Sequence, residues 1–440
     1  MRSIYNALGL ITPPLQNLVA ATERGSIEGL RQLTVLVHKC SLPQVKRLFA
    51  VFSLRALEAT KTSDTKLAES AALDRSILPL IGLTKIAIHF LDDIPQDYIE
   101  ELTKFWPNHI WPCVRILFDN VMDINVEERD VDSRNQVITT IIDLLFFFAI
   151  ESWLLELVGA TPGAVGLLVK LWTAQAEDPE SYSTSSLYNI TLGKVLQVYI
   201  TWYSTENHSP NWDEEVLGPM NGDAGRLALA ALCHLRVRDS LQSKTDIQPV
   251  TDSLGIIGAL SFHSPIRYAL ATNHSFRIVT KVLTSVTSQP YSPSTAGTVC
   301  LCIVQCYKYL ICWLETANGV SGIQQALETG LLPALVKSDA WLSKIEMSQM
   351  TILLPLLSNV LPKYLIYRSI VRAVTKSLRN ISALGTEGKM DQGAPLWLAW
   401  LRFKQVAADR SRIDKEMEIG NAGRMICSNK NVCLRYYHLF

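Results

Sequence analysis

Near one end of the chain, Cys427 and Cys433 flank the short stretch Ser428-Asn429-Lys430-Asn431-Val432. A short loop with a thiolate at each end is how a tetrahedral zinc site takes one pair of its ligands, the second pair normally coming from another such loop. Beyond Cys433 the sequence offers one more donor, His438 in Tyr436-Tyr437-His438. Cys427, Cys433 and His438 together do not close a structural site, so these residues read as an incomplete metal centre.

A second pattern is electrostatic. Arg368, Arg372, Lys376 and Arg379 recur at helical spacing, and no acid falls between Lys363 and Leu384. Ile366, Ile370, Val374, Leu378 and Ile381 recur at the same spacing on another face, and Tyr364 and Tyr367 stand at the start. A row of cations not neutralised along its own helix is suited to holding an acidic peptide. The competing reading is a solvated outer face whose acids come from a neighbouring helix.

Other residue types capable of chemistry lack partners in the sequence. Cys300, Cys302, Cys306 and Cys312 cluster, but Leu301, Ile303, Val304 and Leu310 surround them, which fits core-filling thiols. His38, His89 and His234 lie in apolar stretches and read as core or groove residues. Asp92-Asp93 and Asp213-Glu214-Glu215 are acid runs of the kind that open turns or helices. There is no glycine-rich phosphate loop followed by lysine, no Gly-x-Ser-x-Gly elbow and no His-Glu-x-x-His pair. With no nucleophile and base to pair, the sequence predicts a protein that is not an enzyme.

The elements that must carry these residues are helical. The chain has 440 residues, 48% of them hydrophobic, enough for a long core. Lysine plus arginine and aspartate plus glutamate are 41 each, so net charge supplies no general pull toward nucleic acid or anionic membrane. Apolar residues follow helical rather than alternating spacing almost everywhere, which predicts an all-α fold. Ser41-Leu42-Pro43-Gln44 and Ser133-Arg134-Asn135-Gln136 each place a hydroxyl three residues before a glutamine, a helix-opening pattern. Met1 to Leu8 lacks the features of a secretory signal, and the apolar stretch from Val137 to Trp172 is broken by Asp143, Glu151, Glu156 and Lys170. The expected location is cytoplasmic or nuclear, with no membrane segment and free thiols rather than disulfides.

One arrangement recurs: a helix closes, a residue able to take positive φ follows, and an apolar helix opens at once. It is seen around Gly25, Asn273 and Gly330, and more loosely around Gly163. The stretch from Gly319 to Val336 resembles an armadillo repeat, whose helices bury their faces by stacking into a solenoid. The interval from Asn273 to Gly330 is longer than the roughly 40–47 residues of such repeats, so the units read as divergent. The expected organisation is an armadillo/HEAT-like α-solenoid over 1–385, a linker over 386–395, a connecting helix over 396–423 and a zinc-finger-like tail over 424–440. In the connecting helix, Trp397, Trp400, Leu401 and Val406 are expected to dock before the charged stretch from Asp409 to Glu418.

A tryptophan-bearing helix, a charged stretch and then Cys-x-Asn, with Asn429 in the asparagine position, resembles the entry into a MYND-type zinc finger. Fungal proteins with divergent armadillo-like bodies end in such fingers. The resemblance implies that Cys427 and Cys433 are the first ligand pair, with zinc as cofactor if the finger is complete in the natural protein and none otherwise. The later Cys and His elements of the family are absent here, so the finger reads as truncated or degenerate. Asn207-His208-Ser209-Pro210-Asn211 resembles part of the Asn-His-Ser motif of SET-domain lysine methyltransferases, which implies an alternative enzymatic function. A nucleic-acid-binding helical repeat is a third class, against which the neutral charge argues. The leading expectation is a scaffold that binds other proteins, including acidic peptide segments, through Arg368, Arg372, Lys376 and Arg379.

Overall fold

The computed structural model describes residues 13–61, 70–90, 100, 103–123, 131–179, 191–205, 212–236, 247–289, 292, 294–314, 319–342 and 353–421. Among them every regular element is a helix and none is a strand. The fold is all-α. Cys427, Cys433, the rest of 424–440, and Asn207 to Asn211 lie outside the described residues.

The chain divides into two compact units, Met1–Ala231 and Leu232–Phe440. The first holds α1 (Pro13–Glu23), α2 (Ile27–Leu36), α3 (Leu42–Lys61), α4 (Ser70–Phe90), α5 (Trp111–Asp123), α6 (Val131–Phe148), α7 (Ser152–Gly159), α8 (Ala164–Glu177) and α9 (Leu192–Thr205). The boundary falls within α10 (Ala224–Arg236). The second unit continues with α11 (Gln248–Leu260), α12 (Ser264–Thr272), α13 (Ser275–Thr287), α14 (Ala296–Leu314), α15 (Gly319–Thr329) and α16 (Leu331–Leu342). It ends with a short α17 (Leu361–Tyr364), then α18 (Arg368–Leu384) and α19 (Pro395–Asn421).

In the first unit α3 and α4 form the most extensive pair, and α4 also packs on α2 and α6. Phe52 of α3 is fully buried against Gly82 of α4. Along α6, Val137, Ile141, Leu144 and Phe148 are buried one turn apart, each contributing about 1.5–3 kcal/mol by leaving water. Two buried polar side chains are satisfied by residues far along the chain: Trp106 Nε1 donates to Thr161 Oγ1 at 2.8 Å, and Tyr199 OH donates to the Leu145 carbonyl at 2.9 Å. In the second unit α13 packs on α14, α15 and α16, while α18 packs on α15, α16 and α19. Tyr309 OH donates to Ser275 Oγ at 2.7 Å, and Tyr307 OH pairs with Ser338 Oγ at 2.9 Å.

The recurrent turn is present, with one change of residue. Gly25, Gly163 and Gly330 take φ of 94, 83 and 105°. At the third turn the positive φ falls on His274, at 63°, while Asn273 stays at −89°. Asn273 Nδ2 donates to the Ala269 carbonyl at 2.8 Å, which ties it to the end of α12 and passes the left-handed position on by one residue. Both asparagine and histidine are among the residues that tolerate this region, so spacing alone does not choose between them.

The two expected helix starts also separate. Ser41 opens α3 as expected, its amide donating to Gln44 Oε1 at 2.8 Å. Ser133 is not a cap, because α6 is already helical from Val131. The apolar stretch from Val137 to Trp172 is split among α6, α7 and α8, with α7 and α8 meeting at 83°. Among the described residues one single helix, α14, is long and apolar enough to cross a membrane, while α7 and α8 reach that length and apolarity only as a pair bent by 83°. Of the most apolar window of α14, 61% is buried inside the protein, against α11 and α13.

Candidate functional site

Helix α18 is built to show two faces. Ile370, Val371, Val374, Ser377 and Ile381 are buried, and Arg368, Arg372, Lys376 and Arg379 are exposed on the opposite side. Leu378 is half-buried, and Ile366 does not belong to the apolar row: it lies before the helix and is 60% exposed. The bend between α17 and α18 takes Ile366 out of helical register, and α18 is capped at its far end by Gly385 at a φ of 60°. All four cations therefore share one accessible face.

Their position is electrostatically unbalanced within the helix. Arg368 and Arg372 stand in the first turns, where the macrodipole favours negative charge, and no acid occupies the first turn. Part of the compensation arrives from α19, whose Asp414 Oδ1 lies 2.9 Å from Arg368 Nε. Arg368 is about half exposed and Asp414 largely covered, at 48% and 20%. A neighbouring helix thus supplies an acid to the start of the row. Lys376 and Arg379 make no ion pair among the described residues.

The docking of α19 differs from its sequence pattern. Leu396, Trp400, Phe403 and Ala407 are buried, a seam at helical spacing, whereas Trp397 is half-buried and Leu401 and Val406 are each 38% exposed. The seam is fixed at its start by Glu387 from the segment after α18. Trp400 Nε1 donates to Glu387 Oε1 at 2.6 Å, and Lys404 Nζ pairs with the same oxygen while standing 5.7 Å from the Trp397 ring centre. Burial raises the Glu387 carboxyl, but the hydrogen bonds from Lys404 and Trp400 outweigh it and leave the group below its ordinary value. Within the expected linker 386–395, Met390 is buried and the Asp391 amide donates to Asp339 Oδ2 of α16 at 2.7 Å. That stretch is tied to the helices around it.

The remaining sequence candidates fall as follows. Cys300, Cys302 and Cys306 are buried and Cys312 is exposed. Burial, and next the hydrogen bond from Cys302, push the Cys306 thiol well up, away from the reactive thiolate. His38 and His89 are not core residues: both are exposed, with ring centres 6.3 Å apart. His234 is half-buried. Among the described residues no group of three or more His, Cys, Asp and Glu side chains is placed to hold a metal ion.

Sequence reasoning missed Glu215. It reads as one acid of a turn-forming run, yet it is 5% exposed and accepts from the Gly163 amide at 2.5 Å and the Gly166 amide at 3.1 Å. It caps α8 from a remote turn, satisfying orphan amides at a helix start. The residues it serves lie 52 and 49 positions upstream, beyond any local motif. A cavity of about 400 Å³ opens beside it, between Trp111, Phe118, Pro162 and Pro219.

No family model, curated protein or solved structure matches this chain.

Proposed function

We propose that this chain is a non-catalytic interaction scaffold, an armadillo-like α-solenoid that binds other proteins and carries a vestigial or incomplete MYND-type zinc-binding tail. The observation that carries the reading is the exposed row of α18. Arg368 holds a carboxylate from α19, and Arg372, Lys376 and Arg379 continue the same face. An acidic segment laid along that face would meet Lys376 and Arg379, which make no ion pair among the described residues, as charge-assisted partners. Recurrent positive-φ turns between short helices support the repeat architecture. In this reading Cys427 and Cys433 supply the first ligand pair of the finger, and zinc, where bound, has a structural role.

Fluorescence anisotropy of a glutamate-rich peptide against the full chain tests the binding face. Saturable binding is expected, weakened by added salt and reduced by about tenfold or more in Lys376→Glu with Arg379→Glu, because each lost charged contact is worth about 1.5–3 kcal/mol. Equal affinity of the double variant sinks this reading. The methyltransferase alternative rests on Asn207 to Asn211, and a SET domain is built on short strands, which the described residues do not contain. Binding to single-stranded nucleic acid through the same face would favour the third class instead.

A further inference from the structure

A second place on the molecule pairs two imidazoles, independent of the reading of α18. His38 stands in the short 3₁₀ turn (Val37–Lys39) that continues α2, and His89 stands in the last turn of α4. The two residues are remote in sequence, yet their ring centres lie 6.3 Å apart with the ring planes at 48°. One turn earlier on both helices, Lys85 Nζ of α4 donates to the Thr34 carbonyl of α2 at 3.2 Å. Each histidine follows its neighbour in that contact by four residues, so the two helices run in the same sense and present one pair of faces to both contacts. Val37, Ile86 and Ala87 are buried, which anchors the backbone that carries the rings, while both rings are exposed.

The electrostatics of this corner favour a cation. Both rings sit where a helical run ends, at carbonyls that lack amide partners within the helix and at the negative end of the dipole. Because the helices run in the same sense, the two negative ends lie together. Lys39 and Lys85 oppose a further positive charge, but Lys85 is directed at the Thr34 carbonyl, and Lys39 is exposed to water that screens it. The His38 side chain makes no hydrogen bond or ion pair among the described residues, which leaves a ring nitrogen able to present its lone pair. Cys40 is not a third ligand: its thiol is turned to the Leu36 carbonyl at 3.3 Å, and burial pushes it up from its ordinary value.

Neutral imidazole is a preferred ligand of divalent zinc, nickel and copper. Two rings that share one ion, each nitrogen about 2.1 Å from it, have centres roughly 5 Å apart in tetrahedral geometry. Rotation of the two exposed side chains closes the remaining gap of about 1 Å without moving the buried backbone. We propose that His38 and His89 together bind one divalent late first-row transition ion, which clips the end of α2 to the end of α4. Among the described residues no group of three His, Cys, Asp or Glu side chains forms here, so water completes the coordination and the ion is exchangeable.

The test is isothermal titration of nickel(II) chloride into the full chain, in a background of Cys427→Ser with Cys433→Ser so that the thiols of the tail do not contribute. One saturable site is expected, weakened about tenfold or more in His38→Gln and to the same extent in His89→Gln, because the second imidazole acts at the effective concentration set by the first. Nickel should also raise the midpoint of thermal unfolding when both histidines are present and leave it unchanged in either variant. An ion held by one ring binds the folded and unfolded chain alike, whereas one held by both rings favours the folded state. Both residues are exposed, so the variants keep the core, and helicity by circular dichroism verifies this for each protein. Absence of saturable binding overturns the proposal, as does affinity that either single variant retains.

Discussion

Gly82 shows how much one missing methyl group holds in place. It lies in the interior of α4, where alanine would normally improve the helix by about 1 kcal/mol. A Cβ there would stand 2.5 Å from the Phe52 ring, and Phe52 is fully buried, with no room to withdraw. Overpacking costs about 1–3 kcal/mol, so the clash outweighs the gain in propensity. Gly82→Ala is expected to lower stability in urea denaturation by about 1–2 kcal/mol, and Gly82→Ala with Phe52→Leu to recover part of the loss. A more stable single variant would show that α3 and α4 do not approach this closely. Nothing in the local sequence marks Gly82 as a contact, because its partner comes from another helix. Glu215 is the polar counterpart: its type was visible, and its task as a cap on α8 was set by remote amides.

Helices meet the same division between pattern and placement. The periodicity of α18 was legible, including its cationic face, because burial of Ile370, Val374 and Ile381 follows directly from spacing. The register of α19 was not, since Trp397, Trp400, Leu401 and Phe403 offer several apolar stripes to a docking partner. Glu387 selects one of them by accepting from Trp400 and Lys404. This choice is pH-dependent. The Glu387 carboxyl is held below its ordinary value of 4.5, so its contribution is present above that value and fades as pH falls through the folded one. Glu387→Gln should therefore be less stable than the parent at neutral pH by about 1–2 kcal/mol, with the gap closing as the pH falls through the lowered carboxyl value. Thermal unfolding at neutral and acid pH measures it, and a gap that persists in acid would mean that Trp400 is held by packing alone.

At the scale of the whole chain, an all-helical composition makes a simple demand on the far-ultraviolet circular dichroism of the full protein. The spectrum should carry the double minimum of helix with no substantial β component, and a strong β component would count against the scaffold and for the methyltransferase alternative. Equal numbers of acidic and basic residues mean that any charge-driven binding comes from local faces such as α18, not from a global field. Sequence alone determined the fold class, the helical spacing of the α18 cations and the glycine turns at Gly25, Gly163 and Gly330. Those features arise from period and backbone freedom, which act within a few residues. Tertiary structure decided that His274 rather than Asn273 takes the left-handed turn, that α14 is the long apolar helix, and that Asp414 reaches Arg368. It also set the His38 ring beside that of His89. Each of those outcomes depends on which helix faces are pressed together, and burial between distant segments is not encoded in any single stretch of chain.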